Sequence, residues 1–166
     1  MTAFKFIENK NFECHTEKIQ QNQSAFCINT TSEYELKILL AEDDLINQKV
    51  TLKLLEKMAY TADVAINGIQ VLQYLEKDLY DLILMDIRMP EMDGLEATMA
   101  INDIYGKKRP VIIALTADVF EGAKEKYLKA GLDDYMAKPV TFEIFQNMII
   151  KWAKKVNHKR KKFIFK

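Results

Sequence analysis

From Leu36 onward the chain alternates between short, mainly apolar runs and longer stretches in which apolar residues recur every three or four positions. The runs are Leu36 to Ala41, Leu82 to Met85 and Val111 to Leu115, with weaker ones at Thr61 to Ala65 and Asp134 to Ala137. Short continuous runs of this kind suit strands covered on both faces, not strands with one wet side. The helical spacing predicts a helix after each run. The first carries Ile46, Val50, Leu54 and Met58 at intervals of four, with Asp44 placed to cap it. The second opens at Asn67-Gly68 and runs to about Lys77, with Ile69, Leu72 and Leu75 as its apolar side. Asp93 and Glu96 have the spacing of a capping box for the third, which Gly106 ends. Asp118 and Glu121 repeat that spacing before the fourth, which Gly131 closes. Thr141 can cap the fifth, with Ile144, Met148, Ile149 and Trp152 on one face.

Five strand-then-helix units joined by right-handed crossovers give an α/β fold, a doubly wound five-stranded parallel sheet. In such folds the ligand crevice lies at the carboxyl ends of the strands. The pattern assigns residues 35–156 to this domain. Residues 1–34 read as a linker or flexible N-terminal segment: Gln20-Gln21-Asn22-Gln23-Ser24 has no apolar period, and nothing fixes how Phe4, Phe6, Ile7 and Phe12 would dock. Residues 157–166 read as a basic C-terminal tail.

The strand ends carry the chemistry. Glu42 and Asp43 follow the first strand, Asp86 the third, Thr116 the fourth and Lys138 the fifth. A single carboxylate at a strand end is most often a helix cap or a solvated turn, and a single lysine there is most often salt-bridged. Five suitable groups on one rim are harder to explain that way. Clustered carboxylates repel one another unless a cation binds. Mg²⁺ prefers oxygen ligands, and here it would bridge Asp43, Asp86 and an incoming phosphoryl oxygen. A carboxylate can act as nucleophile and form an acyl phosphate. The charge on the transferring group would meet the metal, the Lys138 ammonium and the Thr116 hydroxyl.

The runs Ile38-Leu39-Leu40-Ala41-Glu42-Asp43-Asp44, Leu84-Met85-Asp86-Ile87-Arg88-Met89-Pro90-Glu91-Met92-Asp93-Gly94, Ala114-Leu115-Thr116-Ala117 and Lys138-Pro139 resemble the receiver domain of two-component response regulators, above all the receivers of hybrid histidine kinases. The resemblance spans about Glu35 to Lys155. It implies a flavodoxin-like strand order 2-1-3-4-5 and a set of roles. Glu42 and Asp43 match the acidic pair that holds Mg²⁺, and Asp86 matches the phosphoacceptor. Arg88 matches the residue whose backbone carbonyl is a metal ligand. Thr116 and Lys138 match the phosphate-contacting residues, and Tyr135 matches the aromatic switch that turns inward on activation. Its rival is a surface aromatic with no such role. Pro139 matches a proline usually preceded by a cis peptide bond. In this family Arg88 and Asp118 flank the path of the attacking water. They either pair across the site and lengthen the phosphoaspartate lifetime, or Asp118 caps its helix while Arg88 is solvated. Asp44 is expected to cap a helix, not to bind metal.

The resemblance implies a phosphorelay module for signal transduction. It would take its phosphoryl group from a histidine kinase or a histidine-containing phosphotransfer protein and signal to a downstream protein. The expectation is a regulator that catalyses only its own phosphorylation and dephosphorylation. One alternative is a Mg²⁺ phosphatase of the haloacid dehalogenase type, but that group wants a second Asp where this chain has Arg88. Another is an interaction domain of the same fold that works without phosphorylation.

Composition fits without redirecting the reading. The chain is 49% hydrophobic and 29% charged, as in a soluble globular protein, with 24 basic and 24 acidic side chains. No net charge draws it to nucleic acid or membrane, and no apolar run spans a bilayer. Direct DNA contact is not expected, since no reading domain follows the last helix. Without a secretory signal the expected location is cytoplasmic. Cys14-His15 and Cys27 lack the paired spacing of a zinc site.

Overall fold

The computed structural model describes residues 34–117 and 123–164, with the side chains of 123, 124 and 161–164 left aside. The N-terminal segment with Cys14, His15 and Cys27, and the Asp118–Glu121 cap, lie outside the described residues.

Five strands form one parallel sheet: β1 (Ile38–Ala41), β2 (Ala62–Ala65), β3 (Leu82–Asp86), β4 (Val111–Thr116) and β5 (Asp134–Ala137), in spatial order β2-β1-β3-β4-β5. The helices are α1 (Leu45–Glu56), α2 (Gly68–Lys77), α3 (Gly94–Tyr105), α4 (Ala123–Lys129) and α5 (Phe142–Ile164), with a 3₁₀ turn at Gly106–Lys108.

Side chains alternate across the sheet and both faces are apolar, hence the unbroken runs. Leu39, Ala41, Ile83, Met85, Ile112 and Ala114 face one way and meet Val71 and Leu75 of α2, Ala97 and Ile101 of α3, and Tyr127 of α4. Ile38, Leu40, Leu82, Leu84, Ile113 and Leu115 face the other way and meet Leu55 of α1 and Phe145, Ile149 and Trp152 of α5. Leu84 is fully buried on the central strand. Cutting it to Ala would cost about 2–5 kcal/mol.

The caps agree with the local signals. Asp44 accepts the Ile46 and Asn47 amides, and Asp93 with Glu96 makes a reciprocal capping box. Asn67 caps α2 by accepting the Gln70 amide, and Thr141 accepts the Ile144 amide. Gly131 takes φ +95° beyond α4, a conformation open to glycine.

Three expectations are corrected. The buried face of α1 is Gln48, Thr51 and Leu55, while Ile46 and Val50 are exposed. Spacing by four overruns the 3.6-residue turn by about 40° at each step, so the stripe winds around the helix. Leu54 and Met58 reach the core edge, and Ile46 and Val50 come round to solvent. On α2 the buried residues are Gly68, Val71 and Leu75, with Ile69 exposed. The chain past Asn157 also continues α5 through His158 and Arg160 to Ile164. Arg160 grips both oxygens of Asp81 and donates to the Glu35 carbonyl. Asp81 in turn accepts the Lys37 amide. These contacts sit at the amino ends of β1 and β3. Among the described residues no helix is long and apolar enough to cross a membrane.

Candidate functional site

Because all strands run parallel, their carboxyl ends share one rim. β1 pairs with β3 in the register Ala41↔Met85, and β3 with β4 in the register Asp86↔Leu115. Glu42, Asp86 and Thr116 therefore leave the sheet side by side. Thr116 pairs with Ala137 on β5, and the Lys138 amide donates to the Thr116 carbonyl at 2.7 Å. The Lys138–Pro139 peptide bond is cis.

Carboxylate oxygens of Glu42, Asp43 and Asp86 lie within 4.8 Å of one another. The Lys138 ammonium bridges two of them, 2.6 Å from Glu42 Oε2 and 2.7 Å from Asp86 Oδ2. Glu42 is fully buried and Asp86 nearly so, while Asp43 is exposed at the mouth. Burial pushes the Glu42 carboxyl up, against hydrogen bonds from Lys138 and Asn47 that pull it down. For Lys138, burial works against the charged form, but bonds to Asp86 and Glu42 prevail and hold its pKa above the ordinary value. The lysine is therefore a fixed cation at neutral pH.

The carboxylates are held from both ends. Asn47 Nδ2 donates to Glu42 Oε1 at 3.0 Å, and Gln48 Nε2 to the Glu42 carbonyl at 2.7 Å. The Arg88 amide donates to Asp86 Oδ1 at 3.1 Å. Behind it, the Gly94 amide donates to the Ile87 carbonyl at 2.9 Å. Gly94 passes so close that a Cβ there would collide with the Asp86 carbonyl. The loop shape thus fixes where the Asp86 side chain emerges.

Three hard carboxylate groups converging at this spacing fit Mg²⁺, which takes oxygen ligands and keeps several waters. Asp44 is outside the cluster, engaged as the α1 cap. Of the other expected residues, Thr116 is buried on the rim, its hydroxyl 3.0 Å from that of Tyr127. Tyr135 is half-buried, its ring 6.0 Å from the Tyr127 ring. The Arg88 side chain is exposed, and Asp118 lies outside the described residues.

The sequence reading missed Asn47, Gln48 and Tyr127. Their signals were faint: two amides in the first turns of a helix, and one tyrosine in a short amphipathic segment. It also missed a cleft of about 380 Å³ beside Lys138, lined by Val50 and Leu54 of α1, Pro139, Val140 and Phe145. Leu45 and Ile46 stand exposed on the same helix.

A family model described as the response regulator receiver domain matches residues 38–150. Histidine protein kinase 1 of Candida albicans is 42% identical over 139 residues, which cover 78% of this chain and 6% of that protein. Hybrid signal transduction histidine kinase B of Dictyostelium discoideum is 43% identical over 148 residues, 82% of this chain and 7% of that protein. The chain thus spans less than a tenth of the length of these relatives. Among solved structures, the receiver domain of sensor histidine kinase PA1611 from Pseudomonas aeruginosa has a TM-score of 0.66 and 39% identity, covering 72% of this chain and 98% of that one. It carries a magnesium ion in its active-site cleft. The receiver domain of Saccharomyces cerevisiae Ssk1, crystallised with the histidine phosphotransfer protein Ypd1, has a TM-score of 0.67 and 28% identity over 72% of this chain and 90% of that one.

Proposed function

This chain belongs to the response regulator receiver domain family, and on that premise we propose that it accepts a phosphoryl group from a phosphohistidine onto Asp86. The observation that carries the reading is the Lys138 ammonium held between Glu42 and Asp86 at the carboxyl ends of the strands.

Asp86 Oδ1 takes the Arg88 amide and Oδ2 the ammonium. A carboxylate has about four lone-pair sites, so pairs remain to attack phosphorus. The attack forms the O–P bond of an acyl phosphate as the P–N bond of the donor breaks. The imidazole leaves and takes up a proton. Lys138 keeps its charge and can turn from Asp86 to a phosphoryl oxygen, balancing charge as it moves. The Thr116 hydroxyl donates to a second oxygen. Glu42, Asp43, Asp86 and the Arg88 carbonyl would hold Mg²⁺, which supplies neutralising charge for the remaining oxygen. Thr116 and Tyr135 then repack and alter the α4-β5-α5 surface read by a downstream protein. The Arg88 side chain, with Asp118, sets how long the acyl phosphate lasts.

The exposed Leu45, Ile46 and Val50 and the apolar cleft beside Lys138 supply a docking face for the phosphohistidine donor, a histidine kinase or a phosphotransfer protein. The module works where such relays work, in the cytoplasm, and residues 35–156 with the α5 extension form the unit.

Acetyl phosphate with Mg²⁺ and intact-mass detection tests this. A single phosphoryl adduct on the wild type, absent in Asp86→Asn, is expected. Steady hydrolysis of many phosphate esters with no adduct would overturn the reading in favour of a phosphatase.

A further inference from the structure

Thr116 ends β4 one position beyond the residue paired with Asp86. Its hydroxyl lies 3.0 Å from the hydroxyl of Tyr127, on α4, and both side chains are buried. The Tyr127 ring also sits 6.0 Å from the Tyr135 ring, tilted by 51°. One side chain therefore touches both residues to which the proposed function gives the switch. Building on that function, we propose that Tyr127 is a positioning residue whose hydroxyl holds Thr116 in its resting orientation and so sets how readily Thr116 turns to a phosphoryl group on Asp86.

Tyr127 acts through geometry, whichever of the two hydroxyls donates. A threonine hydroxyl carries a single proton, and phosphoryl oxygens only accept. Thr116 must therefore aim that proton toward Asp86 in the active form. Hydrogen bonds weaken steeply as they leave good geometry. Turning Thr116 away stretches its bond to Tyr127 at a buried place, where water does not readily replace what is lost. That cost falls on the active form alone, so it biases the population toward rest. The Tyr135 ring leans on the same phenol, so a shift of Tyr127 that follows Thr116 is passed to Tyr135.

The rival is that Tyr127 is only a core aromatic, since buried tyrosine hydroxyls commonly find a partner. Tyr127→Phe keeps the ring and its packing and removes the hydroxyl. The readout is the dissociation constant for beryllofluoride, a phosphoryl mimic, measured calorimetrically with Mg²⁺ on the full chain. From the net worth of one hydrogen bond, Tyr127→Phe should bind roughly three- to tenfold tighter. In a Thr116→Ala background, where no hydroxyl is left to hold, the same substitution should change affinity by less than about twofold. Unchanged or weaker binding in Tyr127→Phe overturns the proposal, as does an equal gain with and without Thr116. If the wild type itself binds no beryllofluoride, the phosphoacceptor reading fails instead.

Discussion

Replacing Lys138 with Met tests whether the site is a set of carboxylates that needs a cation. The substitution keeps a stem of similar length and removes the ammonium that touches Glu42 and Asp86. Removing one partner of a buried pair costs about 3–5 kcal/mol. Two features lower the figure here. The lysine side chain is one-fifth exposed, so water can take part of its place. The Asn47 amide also still donates to Glu42. A ceiling comes from proton uptake. A carboxyl with an ordinary pKa of 4.5 costs about 1.4 kcal/mol per pH unit to protonate, so at pH 7 the penalty stops near 3.4 kcal/mol. In EDTA, Lys138→Met should therefore lose about 2–3 kcal/mol in urea unfolding. Saturating Mg²⁺ at a hundredfold over its dissociation constant adds about 2.7 kcal/mol to any folded form that binds it. The wild-type site already holds an ammonium and the variant's does not, so the Mg²⁺ increment at a fixed concentration should be larger in the variant. A variant as stable as wild type in EDTA, or equal increments in the two proteins, would refute the reasoning.

Further consequences are as direct. Gly94→Ala drives a Cβ into the Asp86 carbonyl and to 2.9 Å from Met85 Cγ. Backbone cannot swing aside, so a loss near the upper end of overpacking costs, about 3 kcal/mol, is expected, read as a Tm lower by about 10 °C; an unchanged Tm would contradict the close approach. Ile46→Glu on the exposed face of α1 should slow phosphoryl transfer from a phosphohistidine protein by about tenfold or more, while labelling by acetyl phosphate, which needs no docking face, keeps its rate. Equal slowing of both donors would place the effect in the site itself. Asp134 accepts Lys151 Nζ, the Trp152 indole N–H and the Tyr135 amide. Burial works to raise its pKa, but these donors outweigh it and hold the carboxyl below its ordinary value. Its stabilisation is then whole above about pH 4 and is lost as pH falls through the lowered folded value. The Tm gap between wild type and Asp134→Asn should be constant from about pH 8 to 5 and narrow below about pH 4; a gap that persists in acid would count against the ion pair.

The strand ends were legible because burial on both faces leaves an unmistakable apolar run, and a polar residue where it stops has few places to go but the rim. Asp86 and Glu42 were found that way, Lys138 after the weaker edge run Asp134 to Ala137, and the three meet within hydrogen-bond distance. The face of α1 was misread because Gln48 and Thr51 are buried polar residues there. Gln48 is buried to hold the Glu42 carbonyl, a demand of the site that hydrophobic patterning cannot express. Tyr127 stayed hidden for a different reason. Its link to Thr116 depends on how a seven-residue helix is set against the sheet, and nothing local to either residue encodes that. Arg160 likewise looked like one charge among many, until four residues of helix beyond buried Val156 brought it to Asp81.

The Arg160 clasp makes this module a cassette. The backbone comes in at Glu35 and the last helix is riveted to the same end, through Asp81 and the Glu35 carbonyl. Glu35 and Arg160 thus lie at the end of the sheet opposite the reactive rim. A pull on either end of the described fold is therefore felt first by the other, on the side away from Asp86.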